Sequence, residues 1–110
     1  MYGIIGRAKA VPGQREALVR ILLQASRDMP GCLSYVVAKD RDDPQAIWIT
    51  EVWQDRASHE ESLTLPQVRE AIASGRPLIE EFDERIETEP VGGWGLRGRS
   101  SVETPIEKSE

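Results

Sequence analysis

The chain has 110 residues, 19 acidic against 14 basic, and a formal charge of −5; that length suits one domain, burying about two thirds of its unfolded surface, and not two cores. The basic residues are scattered rather than striped, which argues against a nucleic-acid surface, since phosphate binding relies on concentrated Lys and Arg. Cys32 is the single cysteine, so an intrachain disulfide is excluded, and with no flanking His or second Cys it reads as a small buried hydrophobe rather than a metal ligand.

Residues 2–11 mix Ile4, Ile5, Ala8 and Val11 with Arg7 and Lys9 and predict a first strand, ended by Pro12-Gly13. They lack the charged and then apolar blocks of a signal peptide, and no apolar run approaches the roughly 20 residues of a membrane span, so a cytoplasmic protein without membrane contact is expected. From 14 to 29, Leu18, Ile21, Leu22, Ala25 and Met29 recur at helical spacing with charged residues mostly opposite, and Pro30-Gly31 stops that helix. Residues 32–39 alternate as a second strand. Asp40 to Pro44 make a turn, and 46–54 return as a third strand, in a hairpin with the second.

Asp55 or Ser58 is placed to cap a short helix through about Leu63, and Pro66 suits a first helical position. Val68, Ala71, Ile72, Leu78, Ile79 and Phe82 carry a helical stripe onward, interrupted by Gly75 and Pro77, where a kink or a division into two helices is expected. Residues 84–89 read as a polar fourth strand at an edge. From 91 to 110 a Gly, Ser and Glu-rich tail follows, an arm or a segment without a core, leaving residues 1–90 as the domain.

The order strand, helix, strand, strand, helix, strand is the split βαβ pattern of an α+β, ferredoxin-like fold with an antiparallel sheet, both helices on one face. A wet second face calls for apolar and charged residues in alternation along the central strands. Instead Trp48 and Val52 point one way, and Ile47, Ile49 and Trp53 the other. Leaving two such side chains in water forgoes on the order of 3 to 6 kcal/mol. A homodimer packed sheet on sheet is therefore expected, with a ligand pocket between helices and sheet or at the seam.

Residues 51–62 hold the one cluster that resembles a site: Glu51 and Trp53 on one strand face, and His59, the only histidine, one short loop away. Together with Val11-Pro12-Gly13 before the first helix, Pro30-Gly31-Cys32 at the second strand and the acidic turn ending at Pro44, the spacing of Glu51, Trp53 and His59 resembles the antibiotic biosynthesis monooxygenase family over about residues 2–90. The resemblance implies a dimeric α/β barrel of ferredoxin-like subunits. It also implies a monooxygenase that needs no cofactor and oxidises a quinol or polyphenolic aromatic with O₂. On that resemblance Trp53 walls the pocket, His59 binds or deprotonates a phenol, Glu51 fixes the imidazole or a water, and Tyr35 is a further donor.

The chain also departs from the family pattern. Oxygenase members carry an Asn four residues before the tryptophan, where Ile49 stands here, as a pocket residue. Haem-degrading relatives pair a Trp and a His in the later helices, where Ser62 and Ile72 stand here, so haem is not implied, and no metal ligand set is read. Plainer roles exist for each residue: Trp53 as core or dimer seam, His59 as a solvated helix residue beside Glu60 and Glu61, Glu51 as an ion-pair partner of Arg7, Tyr35 as structural. Trp94 is read as part of an arm docking on the partner subunit, or of a lid. A dimeric module that binds a small apolar ligand without catalysis is the alternative function.

Overall fold

The computed structural model describes residues 1–96; the remainder of the tail lies outside the described residues. Strand β1 (Tyr2–Ala10), helix α1 (Arg15–Ala25), β2 (Cys32–Lys39), β3 (Ala46–Trp53), α2 (Arg56–Ser62), α3 (Pro66–Gly75) and β4 (Ile79–Thr88) follow in that order. All pairings are antiparallel, in the order β2-β3-β1-β4, which is the ferredoxin-like arrangement.

Register decides which side chains share a face, because residues directly opposite project the same way. Tyr2 lies opposite Trp53, Ile4 opposite Glu51 and Ala8 opposite Ile47, and on the far side Tyr35 is opposite Glu51. This is the face the helices cover. Its core is Ala10, Leu18 and Ile47, with Val19, Leu22, Val37 and Ile79 packed around them. Small residues let the layers close: a Cβ on Gly75 would sit 3.2 Å from Leu18 Cδ1, so α3 rests directly against α1. Arg15 ties α1 to the hairpin turn by donating Nη1 hydrogen bonds to the carbonyls of Asp40, Asp43 and Ala46.

Two boundaries differ from the predicted ones. Helix α1 stops at Ala25, short of Met29. There the Ser26 hydroxyl bonds back to the Leu23 carbonyl and Asp28 takes a left-handed φ of 49°, a conformation the short polar Asp tolerates better than most residues. The second difference is larger. Residues 79–83 are strand and not the continuation of a helix, so β4 runs ten residues from Ile79. Pro77 lacks the N–H that a continuing helix needs, and it sits in a 3-10 turn, Arg76–Leu78, after which Ile79 pairs with Ala10 and Phe82 with Ala8. The neighbouring Glu80 and Glu81 are therefore exposed strand residues, not helix residues. As expected of an edge, nearly every residue of β4 is exposed and many are charged.

The face away from the helices is divided. One end carries Val36, Thr50, Ile5 and Ile86 in register, with Val52 two residues further along β3; Val36 is 53% and Ile86 49% exposed, while Ile5 and Val52 are half-buried. At the other end Trp48 is covered from within the same chain. The Arg7 guanidinium lies 5.6 Å from its ring centroid, and its Nε1 donates to Asp40 Oδ2 at 2.8 Å. Arg7 also pairs with Asp40, Asp43 and Asp83. Asp40 is held well below the usual carboxylate range, chiefly by the Trp48 N–H and then by the backbone N–H groups of Asp42 and Asp43.

Candidate functional site

Between the helices and the sheet lies a cavity of about 460 Å³. Leu18 and Leu22 from α1, Val68 and Ile72 from α3, and Ala8 and Ile49 from the sheet make its walls apolar. Polar side chains gather where β3 meets α2: Tyr35, Glu51 and His59, beside Trp53. Leu63, Ile72 and Phe82 line the same space while remaining 46%, 41% and 68% exposed, which marks the mouth, with Arg76, Glu80 and Glu81 beside them.

The local sequence places each member. Alternation along β3 turns Glu51 and Trp53 inward together with Ile49. Asp55 then caps α2, its Oδ1 accepting from the Ser58 N–H at 2.7 Å, and one residue later His59 projects toward the sheet. The start of β2 fixes how close α2 comes. Gly31 has φ +84°, and a Cβ there would collide with the Ser58 side chain.

Trp53 is 1% exposed, and its Nε1 donates to Glu51 Oε1 at 2.9 Å. His59 Nε2 lies 3.9 Å from the same oxygen, the two side chains being 16% and 15% exposed. Burial pushes the Glu51 carboxyl above its ordinary range, against the opposing pull of the Trp53 N–H and of the His59 and Arg85 charges. The Tyr35 phenol is also pushed up, first by burial and then by the Glu51 charge. A 3.9 Å separation is too long for a direct hydrogen bond. It suits a hydroxyl or a water held between carboxylate and imidazole.

The five residues named from sequence, Tyr35, Ile49, Glu51, Trp53 and His59, thus line one cavity. Arg7 does not pair with Glu51. It lies opposite Trp48, and odd and even positions of β1 face opposite ways, so the sheet stands between them. Trp94 is 97% exposed and does not line the cavity.

Sequence reading missed Tyr2. Its ring centroid is 5.7 Å from that of His59, which Trp53 meets at 5.4 Å in a T-shaped contact. The Tyr2 hydroxyl donates to Glu87 Oε2 at 2.5 Å, and the Arg56 guanidinium lies 5.5 Å from its ring centroid. No local pattern marks position 2; only the pairing of Tyr2 with Trp53 brings it to the site. Among the described residues no three His, Cys, Asp or Glu side chains converge as a metal-ligand set, and no helix is long and apolar enough to cross a membrane.

Comparison with known proteins agrees with this architecture. A family profile described as antibiotic biosynthesis monooxygenase matches residues 1–74. A crystal structure from Chloroflexus aurantiacus, provisionally named an antibiotic biosynthesis monooxygenase, superposes with a TM-score of 0.85 at 61% identity, over 86% of this chain and 97% of that one. One from Deinococcus radiodurans under the same provisional name gives 0.71 at 27% identity, over 89% and 100%. An uncharacterized Synechocystis protein is 28% identical over 79 residues, which is 69% of this chain but 54% of that protein, so the chain spans about half the length of that curated relative.

Proposed function

Because the chain belongs to the antibiotic biosynthesis monooxygenase family, we propose that it oxidises a quinol-type or polyphenolic aromatic with O₂, using no cofactor, in the cavity that ends at Glu51 and His59. The observation that carries this reading is the cavity itself: apolar walls large enough for fused rings, with acid–base groups gathered at one end. A substrate ring lies along Trp53 and brings a phenolic hydroxyl from the cavity to His59 Nε2, which lies 3.9 Å from Glu51 Oε1. His59 takes the phenolic proton while Glu51 stabilises the resulting imidazolium. The electron-rich anion then passes one electron to O₂. The two radicals combine at a ring carbon to a peroxide anion, the His59 imidazolium returns its proton to give the hydroperoxide, and loss of water leaves the carbonyl of a quinone. The protein's part is to orient the ring, favour the phenolate and keep water out.

The outer-face apolar group, with Val36 and Ile86 exposed and Ile5 and Val52 half-buried, supports a sheet-to-sheet homodimer as the working form. In this reading residues 1–90 are the catalytic domain and the following segment an arm.

Oxygen uptake by metal-free protein with a panel of hydroquinones and anthrones tests the reaction. Uptake above the uncatalysed rate is expected. It should fall about 10²-fold in His59→Ala, the scale of one positioned acid–base group, and fall also in Trp53→Ala. A flat trace across the panel, with saturable quenching of tryptophan fluorescence by the same compounds, would replace the enzyme by a ligand-binding module.

A further inference from the structure

The aromatic side chains at the polar end of the cavity form a connected series that leads out of it. Trp53, buried against the cavity, touches His59, and His59 touches Tyr2, with centroid separations of 5.4 and 5.7 Å, inside the range of direct aromatic contact. Each oxidisable ring in the series also donates its one acidic proton to a carboxylate: Trp53 Nε1 to Glu51 at 2.9 Å, and Tyr2 Oη to Glu87 at 2.5 Å. Indole and phenol become strongly acidic when they lose an electron, so a ring whose proton has a base waiting is the one that gives the electron up easily.

We propose that Trp53, His59 and Tyr2 form a relay that carries one-electron oxidising equivalents from the cavity to the protein surface at Glu87. The relay rests on the oxygenase reading only for its natural oxidant, a peroxyl or superoxide-class radical that escapes the productive reaction. That radical takes an electron from Trp53 and is reduced to the corresponding peroxide anion, which takes its proton from water, while the indole proton passes to Glu51. Tyr2 then supplies an electron across the imidazole to the indolyl radical. The proton on Glu51 returns to Nε1, and the Tyr2 proton moves to Glu87. Trp53 is restored, and the phenoxyl radical is left at the first residue of β1, beside the exposed Glu87, where a thiol- or ascorbate-class reductant returns one electron and the Glu87 proton goes back to the phenolate.

The surroundings favour this direction. Glu87 is held below its ordinary range by the Tyr2 hydrogen bond first and by the Arg56 and Arg85 charges, so it is ionised and ready to accept.

The test supplies its own oxidant and so does not depend on turnover. Azide radicals made by pulse radiolysis enter the cavity and oxidise indoles; Trp94→Phe serves as the parent protein, because Trp94 is the most exposed indole. The indolyl absorption is expected to decay into the narrower phenoxyl band. In Tyr2→Phe, which keeps the ring against His59, most of that band should be lost, and oxidation products at Trp53, read by peptide mass spectrometry, should rise several-fold while those at Trp48 stay constant. Glu87→Gln should slow phenoxyl formation. Equal phenoxyl yield and equal Trp53 damage in parent and Tyr2→Phe would overturn the relay. Absence of catalysed oxygen uptake alongside a Tyr2-dependent phenoxyl signal would sink the oxygenase reading and leave the relay standing.

Discussion

Glu51 concentrates the chemistry of the site in one oxygen atom, which accepts the Trp53 N–H and faces the His59 imidazole. Burial raises its carboxyl above the ordinary range, and that has a definite sign for stability. A raised folded-state value means the folded chain holds the proton more tightly than the unfolded chain. The group's contribution is therefore fully present below the unfolded value of about 4.3 and is lost as pH rises through the folded one. Glu51→Gln, which keeps an acceptor for Trp53, is expected to raise the thermal midpoint at pH 7 and to give no gain near pH 3, where both states are protonated. Thermal scans across pH check this; equal midpoints at neutral pH would show that the His59 and Trp53 contacts offset the cost of burial. The identities of Glu51, Trp53 and His59 were legible as a cluster because three neighbours in sequence stay neighbours in space. Tyr2 was not, since 51 positions separate it from its partner across the sheet.

At the scale of elements, α2 reaches the cavity because two short-range devices agree: the Asp55 cap and the glycine at the mouth of β2. Gly31→Ala is expected to cost more than about 1 kcal/mol, since a side chain at positive φ is strained, and the added methyl also strikes Ser58. Chemical denaturation measures the loss, and oxygen uptake should fall with it because the residue displaced is next to His59. Leu18→Ala, at the contact of α1 with α3 and with the cavity, should cost about 2 to 5 kcal/mol. The β2–β3 hairpin and the core of α1 were readable from periodicity, while residue type left the cap of α2 between Asp55 and Ser58, and the structure uses Asp55. The start of β4 was not: Ile79 and Phe82 fit the helical stripe by spacing, and only the stop at Pro77 and the pairing with Ala10 and Ala8 made them strand.

For the whole molecule, the question is what covers the outer face of the sheet. Trp48 needs no partner, because Arg7 lies over it and Asp40 accepts its N–H. Val36 and Ile86 remain in water, beside the half-buried Ile5 and Val52, and make the apolar strip of this face. The proposed homodimer is checked by sedimentation at low micromolar concentration, where dimers are expected and a charge at the strip, Val36→Lys, should release folded monomers. Single chains for the unsubstituted protein would show that the strip stays wet and that one subunit encloses the site alone. Beyond Pro90 the chain passes Gly92 and Gly93 into a turn at Trp94 and Gly95, where Trp94 is 97% exposed, so sedimentation of a chain ended at Pro90 also tests whether this segment contributes to assembly.

The order of the elements, the inward face of β3 and the grouping of an acid, an indole and an imidazole were determined by the sequence alone, because strand alternation, capping and turn chemistry act over a few residues. The tertiary structure decided the rest: Tyr2 against His59, Arg7 over Trp48 rather than beside Glu51, and β4 in place of a longer helix. Each of these depends on the register of strands far apart in the chain, and register is set by the packing of the whole sheet, where a shift of one residue turns every side chain to the other face.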